Sequence, residues 1–191
     1  MQPIKKLFIS PDDLRLMSYQ LADQIIADGW RPDWLVGIWR GGAPVGCYVH
    51  EYLKCFGINC DHIAIRTSLY EGIDKTTAEV KVHSLSYLVE NLTPTSKVLF
   101  VDDILESGRS MAAIFTTLQD KLGDRIPIDI RIATIFIKNH KNISNHRATY
   151  FIKDTTKWIV FPHELEELSL EEIEQNMGSN IATLIRNRQQ F

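Results

Sequence analysis

The sequence is poor in cysteine: three residues in 191, Cys47, Cys55 and Cys60, with no C-x-x-C spacing among them. A small, odd number of thiols behind an N-terminus with no signal-peptide pattern predicts reduced cysteines and a cytoplasmic protein. Long apolar runs are also missing. Met1-Gln2-Pro3-Ile4-Lys5-Lys6 leads into none, and no stretch reaches the ~18–20 residues that a membrane span requires. Charge of one sign is not in excess: 21 Lys and Arg against 24 Asp and Glu leave a net charge of −3. That removes the bulk electrostatic case for nucleic acid or an anionic membrane as partner. There are no repeats and no low-complexity tracts. What remains is an ordinary globular composition, 45% hydrophobic and 24% charged, in a chain long enough to bury a substantial core. The expectation is a single domain over residues 1–191.

Residues 98–110 organise the chain. Val98-Leu99-Phe100-Val101 reads as a fully buried strand, and it ends on two carboxylates, Asp102 and Asp103. A five-residue loop, Glu106 to Ser110, follows, and then Met111, Ile114, Phe115, Leu118 and Leu122 recur at helical spacing. Strand, loop and helix in that order place backbone N–H groups and the positive end of a helix dipole around an anion. Ser107 and Ser110 add hydroxyl donors, and Gly108 lets the backbone approach closely. Asp102 and Asp103 would repel a phosphate; they suit a divalent cation or the hydroxyls of a sugar. Phosphate on one side and a diol or Mg²⁺ on the other point to a phosphorylated ribose. For the Asp pair alone, a turn with merely solvated carboxylates is the alternative.

The rest of the chain reads around that unit. Ser10-Pro11-Asp12-Asp13 starts a helix whose buried face is Leu14, Met17, Leu21 and Ile25, closed by Gly29. Trp34–Trp39 reads as a buried strand feeding Arg40-Gly41-Gly42-Ala43-Pro44 and a helix to about Phe56. An Arg beside two glycines suits a second phosphate group, although the same triplet is common in plain turns. Asp61–Arg66 reads as a strand; Thr67 to Ala78, with Ser68, Tyr70, Gly72 and Lys75, reads as a long loop. Glu79–His83 reads as a strand and Ser84–Asn91 as a short helical turn. Ile128–Ile137 is a strongly apolar strand ending at Lys138, and Ala148–Lys153 and Trp158–Phe161 are shorter ones. His83 has no partners at metal-ligand spacing and reads as structural. Lys138 by default is a solvated strand-end lysine, and Trp158 a core or rim residue. Ser169-Leu170-Glu171-Glu172 is a capping box, and Ile181–Arg188 resumes helical spacing after Gly178. This tail reads as packing or an oligomer contact.

On these residues the chain resembles the type I phosphoribosyltransferases. Their phosphoribosyl-pyrophosphate (PRPP) motif is an apolar strand running into two acids and a D-T-G-x-T-like loop, here Glu106-Ser107-Gly108-Arg109-Ser110. Arg40-Gly41-Gly42 is similar to the family's pyrophosphate loop, whose peptide bond before the Arg is often cis, making Trp39–Arg40 the candidate. The 67–78 stretch stands where the family closes a loop over PRPP to exclude water. Lys138 and Trp158-Ile159-Val160-Phe161-Pro162 resemble the purine-reading residues, most of all those of the xanthine-guanine branch. There Lys donates to O6, the aromatic ring stacks on the base, and the Ile159 carbonyl accepts from the base edge.

The resemblance implies an α/β fold: a mostly parallel twisted sheet flanked by helices, a core of about residues 30–137, and a small hood from about 138–165 and the termini. It implies that a 6-oxopurine and PRPP become a nucleoside 5′-monophosphate and pyrophosphate, with Mg²⁺ as cofactor. Arg40 and Gly41 would hold pyrophosphate, and Asp102 and Asp103 the ribose hydroxyls and Mg²⁺. Ser107, Gly108, Arg109 and Ser110 would hold the 5′-phosphate, and Lys138, Trp158 and Ile159 the base. Glu106 takes or shares the N7 proton; it stands where purine-using members usually carry Asp, with a longer arm. The expected partners are these small molecules and further copies of the chain, as a homodimer or homotetramer, with no nucleic acid. Enzymes for another base share the PRPP loop but not the Lys138 and Trp158 pair. Regulators of the same fold that sense nucleotides and bind RNA need a basic face.

Overall fold

The computed structural model describes residues 6–71 and 78–188, without the side chains of 69–71, 78 and 79. In chain order the first elements are β1 (Lys6–Phe8), α1 (Pro11–Ala27), β2 (Trp34–Trp39), α2 (Gly42–Cys55), β3 (Asp61–Glu71) and β4 (Ala78–His83). Then come α3 (Ser86–Asn91), β5 (Lys97–Leu105), α4 (Arg109–Leu122), β6 (Asp129–Ile137), β7 (Tyr150–Asp154), β8 (Trp158–Val160), α5 (Leu170–Asn176) and α6 (Ser179–Arg188). They form two compact units, Met17–Thr156 and a smaller one from Met1–Leu16 with Lys157–Phe191.

The larger unit is built on a six-stranded sheet of order β4-β3-β2-β5-β6-β7. All neighbours are parallel except the β3–β4 pair. Central strands of such sheets are covered on both faces, which is why Val98 to Val101 read as an unbroken apolar run and are all fully buried. Val36, Ile38, Val98 and Phe100 share one core cluster with Leu88, Met111, Ile114 and Leu118. The 3.6-residue period of α4 thus meets the 2-residue period of the sheet, as the sequence pattern requires.

Two boundaries differ from expectation. β3 runs on to Glu71 and hydrogen-bonds with β4 from Arg66↔His83 to Glu71↔Ala78. Much of the expected 67–78 loop is therefore a hairpin, whose polar residues find backbone partners on the neighbouring strand. Gly72 and Lys75 lie outside the described residues, and so does the side chain of Tyr70. β5 likewise does not stop at the carboxylates but continues through Asp102 and Asp103 to Leu105, because β6 pairs with it as far as Ile137.

In the smaller unit β1 pairs in parallel with β8, Leu7↔Ile159. β1 carries no local signal; three residues become a strand only because a distant segment lies alongside. The capping box of Ser169 and Glu172 opens α5, and Glu172 also pairs with Lys6 at 2.8 Å. Among the described residues, no helix is long and apolar enough to cross a membrane.

Candidate functional site

β2 and β5 pair only as far as Gly37↔Val101. Beyond that point they part, and the chain crosses from β2 to β3 on one side and from β5 to β6 on the other. This is the switch point at which open α/β sheets leave a crevice outside the strand ends. Arg40, Gly41 and Gly42 lie on one side of it, Asp102 and Asp103 on the other.

The Trp39–Arg40 peptide bond is cis, as the resemblance implies, and Arg40 is exposed. The two glycines are required by contact rather than by conformation. A Cβ on Gly41 would lie 1.8 Å from Oδ2 of Asp103, and one on Gly42 2.2 Å from the Val101 carbonyl oxygen. The arginine loop is pressed against the end of β5, which separates it from an ordinary turn.

Asp103 is buried, and its backbone N–H donates to Oδ1 of Asp102 at 3.0 Å. The Asp102 and Asp103 side chains also share a hydrogen bond, so the two carboxyl groups act as a pair at the end of β5. Burial, and then the charge of Asp103, push the Asp102 carboxyl well above the usual carboxylate range. Among the described residues, no group of three or more His, Cys, Asp or Glu could hold a metal by itself. Two carboxylates fit Mg²⁺ in particular, whose shell is completed by substrate phosphate oxygens and water. A cation there would offset the charge that raises Asp102.

The loop expected to hold a phosphate is shorter than the sequence suggests. Arg109 and Ser110 form the first turn of α4, because Gly108, at φ 75°, already turns the chain and its carbonyl accepts from the N–H of Ala112 at 2.9 Å. Ser107 Oγ accepts from the Arg109 N–H at 3.4 Å, and Thr67 Oγ1 donates to Ser110 Oγ at 3.4 Å, tying β3 to the helix start. A Cβ on Gly108 would also lie 2.1 Å from Ser144 Oγ. Gly108→Ala therefore costs about 1–2 kcal/mol for the left-handed backbone alone, or about 2–8 °C in Tm for a chain of this size. With this loop holding the 5′-phosphate, as the resemblance implies, the same variant is expected to raise KM for PRPP several-fold. Thermal melts with PRPP titration check both, and an unchanged KM would remove the loop from the phosphate site.

Glu106 is not an isolated carboxylate. Oε2 accepts from Lys138 Nζ at 2.9 Å and Oε1 from Lys141 Nζ at 2.6 Å. Lys138 is only 3% exposed, not the solvated strand-end lysine that is the default expectation. A lysine is buried to that extent only with a partner, and Glu106 supplies it. Burial raises the Glu106 carboxyl, but the hydrogen bonds and charges of Lys141 and Lys138 outweigh it and hold the group below the usual glutamate range.

The larger unit thus brings together Arg40, Gly41, Asp102, Asp103, Glu106, Ser107, Gly108, Arg109, Ser110 and Lys138. Trp158, exposed, and Ile159, buried, belong to β8 of the smaller unit. Sequence reasoning placed residues 139–147 in the hood and gave none of them an individual contact with the loop. The Ile143 N–H donates to the Ser107 carbonyl at 3.2 Å, and Asn142 Oδ1 accepts from the N–H of Ser144 at 3.0 Å and from its Oγ at 2.9 Å. The ring of His146 stacks on Phe115 at 4.3 Å. Asn and Ser clustered just past a strand end are a turn signal that could have flagged this segment.

The family model described as phosphoribosyl transferase domain matches residues 12–169. The hypoxanthine-guanine phosphoribosyltransferase of Staphylococcus aureus is 24% identical over 149 residues, 77% of each chain. The bifunctional protein PyrR of Corynebacterium diphtheriae is 26% identical over 153 residues, 76% of this chain and 78% of its own. The structure of the Helicobacter pylori xanthine-guanine-hypoxanthine phosphoribosyltransferase superposes with a TM-score of 0.65 at 23% identity, covering 90% of this chain and 99% of that one.

Proposed function

This chain belongs to the phosphoribosyl transferase domain family and is a pentosyltransferase, and from that premise we propose that its acceptor is a 6-oxopurine: xanthine, guanine or hypoxanthine. The observation that carries this reading is the buried Lys138, ion-paired with Glu106 at 2.9 Å where β6 ends. An ammonium donates and cannot accept, so it favours the exocyclic oxygen at position 6 over the amino group of adenine. Two relatives named for hypoxanthine and guanine, and in one case also for xanthine, support the same choice.

In this reading the purine N9 forms the new bond to C1′ of PRPP. The C1′–O bond to pyrophosphate breaks, and its electron pair leaves with the pyrophosphate. Arg40 and the Gly41 backbone hold that leaving group, while Ser107 to Ser110 hold the 5′-phosphate at the start of α4. Asp102 and Asp103 orient the ribose hydroxyls and would hold Mg²⁺, which when bound would supply charge neutralisation for the leaving pyrophosphate. Lys138 donates to O6. The base reacts as its N7–H tautomer, and Glu106, kept ionised by its lysines, takes the N7 proton as N9 bonds to C1′, so that the purine of the product is neutral. In the smaller unit, the resemblance assigns Trp158 to stacking on a base and the Ile159 carbonyl to a base edge. Residues 1–191 act as one catalytic domain in the cytoplasm, with 138–165 and the termini as the hood, in a homodimer or homotetramer. Catalysis is mostly positioning and charge stabilisation.

The test is pyrophosphate release from PRPP and Mg²⁺ with guanine, xanthine, hypoxanthine, adenine, uracil and orotate in parallel. Turnover of at least one of the first three and none of the rest is expected. Turnover of adenine or a pyrimidine instead would overturn the base assignment. A second reading, a nucleotide-sensing regulator that binds RNA, takes its support from the relative named as bifunctional. It would gain if all six bases were inert.

A further inference from the structure

We propose that Lys141 is a positioning residue for the Glu106 carboxylate, a role that rests on the base-reading assignment of Glu106 and Lys138 above. Glu106 bridges two ammonium groups, one at each oxygen: Lys138 on Oε2 at 2.9 Å and Lys141 on Oε1 at 2.6 Å. Its side chain is 40% exposed, and so is open to water on one side. A glutamate has one more rotatable bond than an aspartate. Held only by Lys138, its carboxylate would turn about that contact and lose its direction towards the base. The second lysine removes that freedom.

Lys141 is itself held in place. Its backbone N–H donates to the Lys138 carbonyl at 2.9 Å, and the Asn142 N–H reaches the same carbonyl at 3.2 Å. The next residue, Ile143, donates to the Ser107 carbonyl at 3.2 Å. The segment is therefore pinned at one end to Lys138, just past β6, and at the other to Ser107. An exposed ion pair adds little to stability, so the purpose of this one lies in direction rather than in folding. With Oε1 occupied by Lys141, the carboxylate does not fold back over Lys138. The Lys138 ammonium can then point a donor at the purine oxygen while Glu106 faces N7. The longer arm of glutamate is what spans the two lysines.

The experiment compares Lys141→Met, which keeps the stem and removes the charge, with Lys141→Arg, which restores it, in steady-state assays with PRPP and the best 6-oxopurine. Lys141→Met is expected to lower kcat about 10–100-fold, the scale of a misplaced proton acceptor, with KM for PRPP and Tm unchanged. Lys141→Arg recovers most of the loss. In a Glu106→Asp background, whose shorter arm does not span both lysines, Lys141→Met adds no further loss. Wild-type kcat in Lys141→Met, or a failure of Lys141→Arg to recover it, would overturn the inference. So would an equal loss in both backgrounds. Glu106→Gln separates the two levels: if it keeps full activity, the base-reading assignment itself is wrong. If it is impaired while Lys141→Met is not, only the role of Lys141 falls.

Discussion

Lys138→Met lowers kcat/KM for a 6-oxopurine by about 10²–10³-fold, the scale of losing one preorganised donor in a site that excludes water, while the protein still melts cooperatively. Methionine preserves the apolar stem that fills the end of β6 and removes only the ammonium. The deleted contact is a hydrogen bond between charged groups, worth about 1.5–3 kcal/mol at most. The realised cost is smaller, because Glu106 is partly open to water and keeps its 2.6 Å contact with Lys141. Stability and activity should therefore separate. Parallel melts and assays read the difference, and adenine is the informative second substrate. A variant that lost turnover and Tm together would mark Lys138 as a core residue. One that kept full turnover on its best base would leave the 6-oxopurine assignment without its main support.

Gly41→Ala is the second large effect, and it reports on a contact between the arginine loop and β5 rather than on a side chain that touches the base. Gly41 has φ −71° and ψ −31°, ordinary for alanine, so the substitution strains no backbone. Its new methyl would instead land 1.8 Å from Oδ2 of Asp103 and 2.2 Å from Cγ. Asp103 is buried and cannot swing into water without rearranging the end of β5. Displacing a positioning group by about 1 Å costs about 10²-fold in rate, so kcat/KM for PRPP should fall by that order. Half-saturation in Mg²⁺ should rise with it. Gly42→Ala is the contrast. Its methyl would meet the Val101 carbonyl oxygen at 2.2 Å, a backbone atom in the middle of the sheet, and should cost stability first. Wild-type PRPP kinetics in Gly41→Ala would show that Asp103 takes no part in substrate use.

The sequence determined much of this by itself, and for a local reason. Apolar runs at Val36 and Val98, the helical spacing from Met111 to Leu122 and the Ser169–Glu172 capping box encode their structure within a few residues. Order along the chain added more: strand, two acids and a Gly-containing loop can hardly be read except as an anion-binding turn. The extension of β3 from Thr67 to Glu71, its pairing with β4, and β1 were not legible, because those residues become strands through hydrogen bonds to segments that local patterns do not reveal. Only the tertiary structure decided that Lys138 is buried against Glu106, 32 residues earlier. The same is true of Lys141 completing the pair and of Gly41 leaving room for Asp103. Whether a lysine is solvated or buried, and whether a glycine is a turn or a cradle, depends on which distant atoms the sheet register brings within a few ångströms. Register is set by the packing of the whole sheet, and no single stretch of sequence carries it.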